Sequence, residues 1–164
     1  MNAHEAIVTT LKSTQNLLAT YLSDLSDADL LVRPVPGANH IAWQIGHLIA
    51  AERNIGQETI PGVQYPALPA GFQDRYTKEA SSQDPPKGYL TKAEYLNLFN
   101  QTRQATVEAL GKLSAADLDK PTTGRLAAFA PTVGSMFVLL ANHTLMHAGQ
   151  FTVVRRKLGK PILM

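Results

Sequence analysis

The chain has 164 residues, no cysteine, and 15 Lys and Arg against 13 Asp and Glu, for a formal net charge of +2. That length suits one domain spanning residues 1–164, able to bury a core without covalent staples. The missing cysteines exclude disulfides, thiolate zinc sites, iron–sulfur clusters and a cysteine nucleophile, and the small, dispersed charge excludes a nucleic-acid footprint.

The first residues, MNAHEAIVTT, carry neither a basic nor an apolar targeting segment, which predicts a cytoplasmic protein. From Ala3 to Leu25 the residues Ile7, Leu11, Leu18, Leu22 and Leu25 recur at helical spacing without Gly or Pro, giving a first long helix. Leu25 to Leu30 follows, and Arg33-Pro34-Val35-Pro36-Gly37 breaks any helix. Asn39 is the expected N-cap of a second helix, from Ile41 to about Thr59, with Ile41, Ile45, Leu48 and Ile49 as its core stripe.

Residues 60–90 show no sustained period and are rich in Pro, Gly and Tyr. Such a long connection inside one domain needs a reason. A bundle whose second and third helices run parallel supplies it, because the chain must then travel the bundle's full length. A short helical turn is expected near 72–80. Thr91 with Glu94 forms a capping box for a third helix reaching Leu113, with Tyr95, Leu98, Phe99, Val107 and Leu110 apolar. A loop after Lys120-Pro121 leads to Thr132, which caps a fourth long helix ending at Leu158, before Gly159 and Pro161. The longest apolar stretch, Val133 to Ala141, falls well short of the roughly 20 residues of a membrane span. The fold class is therefore all-α, a four-helix bundle with a long crossover between helices two and three.

Leu25-Ser-Asp-Ala-Asp-Leu30 and Leu113-Ser-Ala-Ala-Asp-Leu118 are nearly the same, and each lies between a long helix and a loop leading to a histidine-bearing helix. The chain reads as helix–turn–helix written twice, although Ser-x-x-Asp is also a common one-turn helix start.

Five histidines are present: His4, His40, His47, His143 and His147. His143 and His147 lie about 40° apart around their helix and about 6 Å along it, so both rings can converge on one ion. In the repeat, His47 matches His143 and Ala51 matches His147, so His47 is the candidate third ligand if the second and fourth helices are neighbours. Three imidazoles leave at least one position open, as in a catalytic zinc-type site. The alternative for each is an ordinary hydrogen-bonded core histidine. His40, about 10 Å from His47 along the helix, starts that helix or lines a pocket mouth; His4 is expected in solvent.

Gln150 follows His147 by three residues and is expected to face the same site, as a hydrogen-bonding neighbour or a polar packing residue. Trp43 walls a pocket or fills the core. Arg155, Arg156, Lys157 and Lys160 complement the carbonyl end of the last helix. No glutamate is placed as a zincin-type base, and Glu52 points about 140° away from His47. Protonation of ordinary imidazoles predicts loss of an ion below about pH 6.

The segment Asn142-His143-Thr-Leu-Met-His147-Ala-Gly149-Gln150, followed by Arg155-Arg156-Lys-Leu-Gly159-Lys-Pro161, resembles the C-terminal signature of the DinB/YfiT-like superfamily. Trp43-Gln-Ile-Gly46-His47-Leu-Ile-Ala-Ala-Glu52 resembles its first metal-binding helix. The resemblance implies an up-down-down-up four-helix bundle, often a homodimer, that binds one divalent ion such as zinc, nickel or iron through His47, His143 and His147. It also implies relatives that act with low-molecular-weight thiols such as bacillithiol, mycothiol or glutathione. Thiol transfer to a small electrophile, with the ion activating the thiol, is the leading expectation. The alternatives are a metal-dependent hydrolase, a non-enzymatic metal-binding stress protein, and a bundle with no metal. Charged residues are only 17% of the chain, against about 25% in an average domain. This fits a neutral polar surface or a dimer.

Overall fold

Reciprocal caps start four of the five helices. Asn2 accepts from the Glu5 amide while Glu5 reaches back to Asn2, opening α1 (Ala3–Leu22). Thr91 and Glu94 do the same for α3 (Lys92–Gly111), Ser114 and Asp117 for the single turn α4 (Ala115–Leu118), and Thr132 and Ser135 for α5 (Val133–Lys157). Each box satisfies two amides that the helix geometry leaves without partners. The start of α2 (Ile41–Thr59) differs from expectation: His40, not Asn39, is the N-cap, and its Nδ1 accepts from the Trp43 amide at 3.1 Å. Helix α1 stops three residues early because Ser23 Oγ and the Ser23 amide both turn back to the Thr20 carbonyl.

The computed structural model describes residues 1–163. Among them there is no strand beyond an isolated bridge between Pro121 and Thr132, and no helix is long and apolar enough to cross a membrane. The four long helices pack as a ring in the order α1, α5, α2, α3. Their partners give the directions. Glu52 meets Arg103, while Ile41 to Ile49 share a cluster with Tyr95 and Phe99, and Ile55 one with Leu110, so α2 and α3 run parallel. Gln44 meets His147 and Ile55 lies with Val133 and Phe137, so α2 and α5 run antiparallel. Arg155 bonds the Tyr21 carbonyl at 2.7 Å and Ile7 lies with Val133, so α1 and α5 run parallel.

The parallel pair explains the 60–91 crossover. It is not featureless: Phe72 and Tyr76 are buried in the core, and two 3-10 turns, Gln73–Tyr76 and Ala80–Ser82, stand where one short helical turn was expected. Tyr76 lies against α2 where Gly46 has no side chain; a Cβ there would sit 2.0 Å from the ring. The two copies of the Ser-x-x-Asp segment fold alike, Ser26 with Asp29 and Ser114 with Asp117 each forming a reciprocal hydrogen-bonded turn.

At mid-bundle the core is polar. Arg103 is fully buried and binds Glu52 through Nε and Nη2, the closest contact being 2.8 Å, and it also bonds the Leu11 carbonyl, Thr14 and Thr144. Thr106 donates to Glu52 at 2.7 Å. One guanidinium thus ties all four long helices together. A second buried arginine corrects the reading of the C-terminal cations: Arg155 is not a solvated helix-end charge but pairs with Asp24 and bonds the carbonyls of Tyr21 and Pro161. His4 likewise is not simply in solvent; its Nε2 meets the Leu113 carbonyl at 2.7 Å.

Candidate metal centre

Antiparallel packing of α2 on α5 brings His47 to face His143 and His147. One ligating atom from each lies within 4.8 Å of the other two, and the ring centroids are 4.9 to 5.4 Å apart. The pairing of i and i+4 rings on one helix with a single ring from its neighbour is the arrangement the spacing predicts. Neither His40 nor Gln150 joins it. His40 is the buried cap of α2, edge-on to Tyr89. Gln150 is exposed, so its expected role beside the site is not met.

Gln44 fills that role instead. Its Oε1 lies 2.9 Å from Nδ1 of His147, and its Nε2 donates to the Asn39 carbonyl at 2.9 Å. Since the amide nitrogen is engaged with a carbonyl, the oxygen is the group presented to the ring, and it accepts the Nδ1 proton. Nε2 of His147 is thereby left with its lone pair free. Trp43 orients His47: the rings stack at 4.9 Å with planes 7° apart, and the indole donates to the Thr77 carbonyl at 3.2 Å.

Burial pushes the His147 imidazole down to about 3, with repulsion from His143 and His47 adding to it. Burial, then His47, pushes His143 down to about 4. His47 is lowered by burial too, partly opposed by the Tyr76 backbone. All three are therefore neutral at pH 7, the form in which imidazole binds a metal. Proton competition with an ion accordingly sets in below the pH of about 6 expected of unperturbed rings. The donor set fits a divalent transition metal: three neutral nitrogens and no cationic side chain within the cluster.

A cavity of about 350 Å³ opens beside His47, lined also by Ala51, Asn54, Asp74, Tyr76 and Arg125. Ala51 is the residue the repeat aligns with His147, and its short side chain forms part of the cavity wall. Glu52 is absent from this wall because Arg103 and Thr106 hold it in the core.

The sequence pattern of the DinB superfamily matches residues 10–151. The chain belongs to the DinB superfamily. Among solved structures, a DinB-like protein from Bacillus cereus ATCC 10987 is 22% identical, with 98% of this chain and 97% of that one covered and a TM-score of 0.69. YfiT from Bacillus subtilis, described as a probable metal-dependent hydrolase with an unusual four-helix bundle topology, is 14% identical, with 96% and 89% covered and a TM-score of 0.68. A conserved protein from Enterococcus faecalis is 13% identical, with 98% and 99% covered and a TM-score of 0.67. At such identities these likenesses concern the fold. No curated protein matches the chain.

Proposed function

We propose that this DinB-superfamily chain is a metal-dependent enzyme that uses a low-molecular-weight thiol as cosubstrate and transfers it to a small electrophile held in the cavity beside His47. The observation that carries the reading is the cluster itself: three neutral imidazoles around one point, His147 buried and His47 and His143 half-buried, with His47 at the cavity edge and Gln44 fixing the tautomer of His147. His47, His143 and His147 would hold the ion, zinc, nickel or iron by donor chemistry. Bound there, it supplies Lewis acidity that lowers the pKa of a coordinated thiol or water. With no anionic ligand from the protein, the positive charge of the site is uncompensated, which favours an anionic partner such as a thiolate. Trp43 and Gln44 hold the rings in place, and Tyr76 closes one wall of the cavity.

Hydrolysis is the second reading. It is favoured by Asp74, the one carboxylate on the cavity wall, and by the description of YfiT. A panel of thiols and electrophiles, run beside ester and amide substrates on metal-loaded and chelator-treated protein, separates the two. Metal-dependent consumption of thiol supports the first; turnover without thiol, abolished by Asp74→Asn, supports the second.

A homodimer formed through α5 belongs to the same reading. Val138, Leu145, Met146 and Val153 are exposed at seven- and eight-residue spacing along that helix, an apolar stripe that a second copy would cover. Light scattering on the purified protein tests it; a monomer at all concentrations would refute it.

A further inference from the structure

Only two side chains that are charged at neutral pH line the cavity beside His47: Arg125 and Asp74. They do not pair with each other, and Arg125 forms no salt bridge or hydrogen bond with any described residue. Arg103, Arg155 and Arg33, by contrast, each make several bonds. The loop carrying Arg125 is anchored at both ends. The Thr122 amide donates to the Pro131 carbonyl at 3.0 Å, the Val133 amide donates to the Lys120 carbonyl at 2.9 Å, and the Thr122 hydroxyl donates to the Ala130 carbonyl. Between those ties the chain turns through Gly124, whose φ of 81° suits a residue without a side chain, and Ala127 bonds back to it. Arg125, exposed to solvent, thus borders the cavity from a tied loop, with His47 and Asn54 of α2 also on its lining.

We propose that Arg125 binds a carboxylate on the small molecule that occupies this cavity, so that the substrates of this chain are small monocarboxylates. The inference rests on the proposed metal-dependent reading for the position of the reacting group, and extends it by naming the substrate class. A planar guanidinium with no protein partner matches a carboxylate through two parallel hydrogen bonds. Asp74 on the same wall sets the limit of one negative charge, because a second would face its carboxylate. The remaining polar lining, which includes Asn54, Gln73, Tyr76 and Thr77, is neutral and hydrogen-bonding, and a volume of about 350 Å³ lies at the small end for ligand sites.

The test is calorimetry on the zinc-loaded protein with 3-mercaptopropionate and its uncharged counterpart 3-mercapto-1-propanol. The acid is expected to bind about tenfold more tightly than the alcohol. Arg125→Gln should remove that preference while changing alcohol binding less than about twofold, and Asp74→Asn should strengthen acid binding. Equal binding of acid and alcohol, or a preference surviving in Arg125→Gln, would overturn the assignment. If neither thiol binds although zinc is retained, the thiol reading is what fails. The Arg125 side-chain Nε–H resonance of the metal-free protein, titrated with propionate, then decides the carboxylate site by itself: a saturable shift supports it and an unmoved resonance overturns it.

Discussion

Removing the Glu52 carboxylate should be among the most damaging single changes in this fold. Glu52 and Arg103 are 3% and 0% exposed, and Glu52 accepts three of the hydrogen bonds that Arg103 donates, besides one from Thr106. In Glu52→Ala the guanidinium stays buried with only the Leu11 carbonyl and the hydroxyls of Thr14 and Thr144 as acceptors. An uncompensated buried charge of this kind costs about 3–5 kcal/mol. That is a large part of the roughly 5–15 kcal/mol that holds a domain together. Glu52→Gln keeps the shape and one acceptor oxygen but leaves the same buried charge unpaired, and should also cost about 3–5 kcal/mol. The double variant Glu52→Leu/Arg103→Met removes both charges and should be much less destabilised than the two single changes would predict together. Urea unfolding of the metal-free proteins at pH 7 measures each. A Glu52→Ala loss under about 1 kcal/mol, or additive effects in the double variant, would refute the view that the pair is a mutually dependent buried unit.

Substituting His47, His143 or His147 by Ala should each abolish stoichiometric metal binding, read by elemental analysis of untagged protein; full occupancy in all three variants would exclude the site. Acid should destabilise the metal-free protein from about pH 6.5 downward. His40, lowered to about 4 by burial and then by Arg33, and His143 and His147, lowered to about 4 and 3, all bind protons more weakly in the folded chain than in the unfolded one. Stability therefore falls as pH drops through the unfolded value toward the folded ones, by up to about 1.4 kcal/mol per pH unit for each ring. His40→Asn, which keeps an N-cap without a titrating ring, should flatten the urea-midpoint slope between pH 7 and 5, and an unchanged slope would show that His40 is not part of it. Gly46→Ala should cost about 1–3 kcal/mol by forcing Tyr76 off α2; a melting temperature within a degree of the parent would contradict the packing.

Period and spacing made the long helices legible, because each carries an apolar stripe bounded by a residue that can cap it. Where the boundaries slipped, side chains decided. Ser23 closes α1 early, and His40 takes over the cap that Asn39 was expected to supply because its Nδ1 reaches the Trp43 amide. The buried arginines were not legible. Arg103 sits among polar residues on α3, and nothing in the local pattern says that its partner lies 51 positions earlier on a parallel helix. Arg155 lies in a run of cations where a solvated helix end is the ordinary outcome.

The contrast between Gln44 and Gln150 shows what the histidine spacing could and could not give. Spacing along α5 alone puts Gln150 near the face of His143 and His147, yet a face is only an interior if a partner covers it. Once His47 is set against His143 on antiparallel helices, each turn forward on α5 meets a turn backward on α2. His147 then falls opposite the turn of Trp43 and Gln44, of which Gln44 makes the 2.9 Å contact, and position 150 falls opposite His40, the N-cap of α2. Past that residue α2 offers no further turn to cover α5, so Gln150 faces solvent. The register of the two helices therefore decides which glutamine serves the site. That register was already implicit in the match of His47 to His143, and applying it to the neighbouring turns, rather than to the ligands alone, points to the turn of Trp43 and Gln44, in which Gln44 is the hydrogen-bonding side chain.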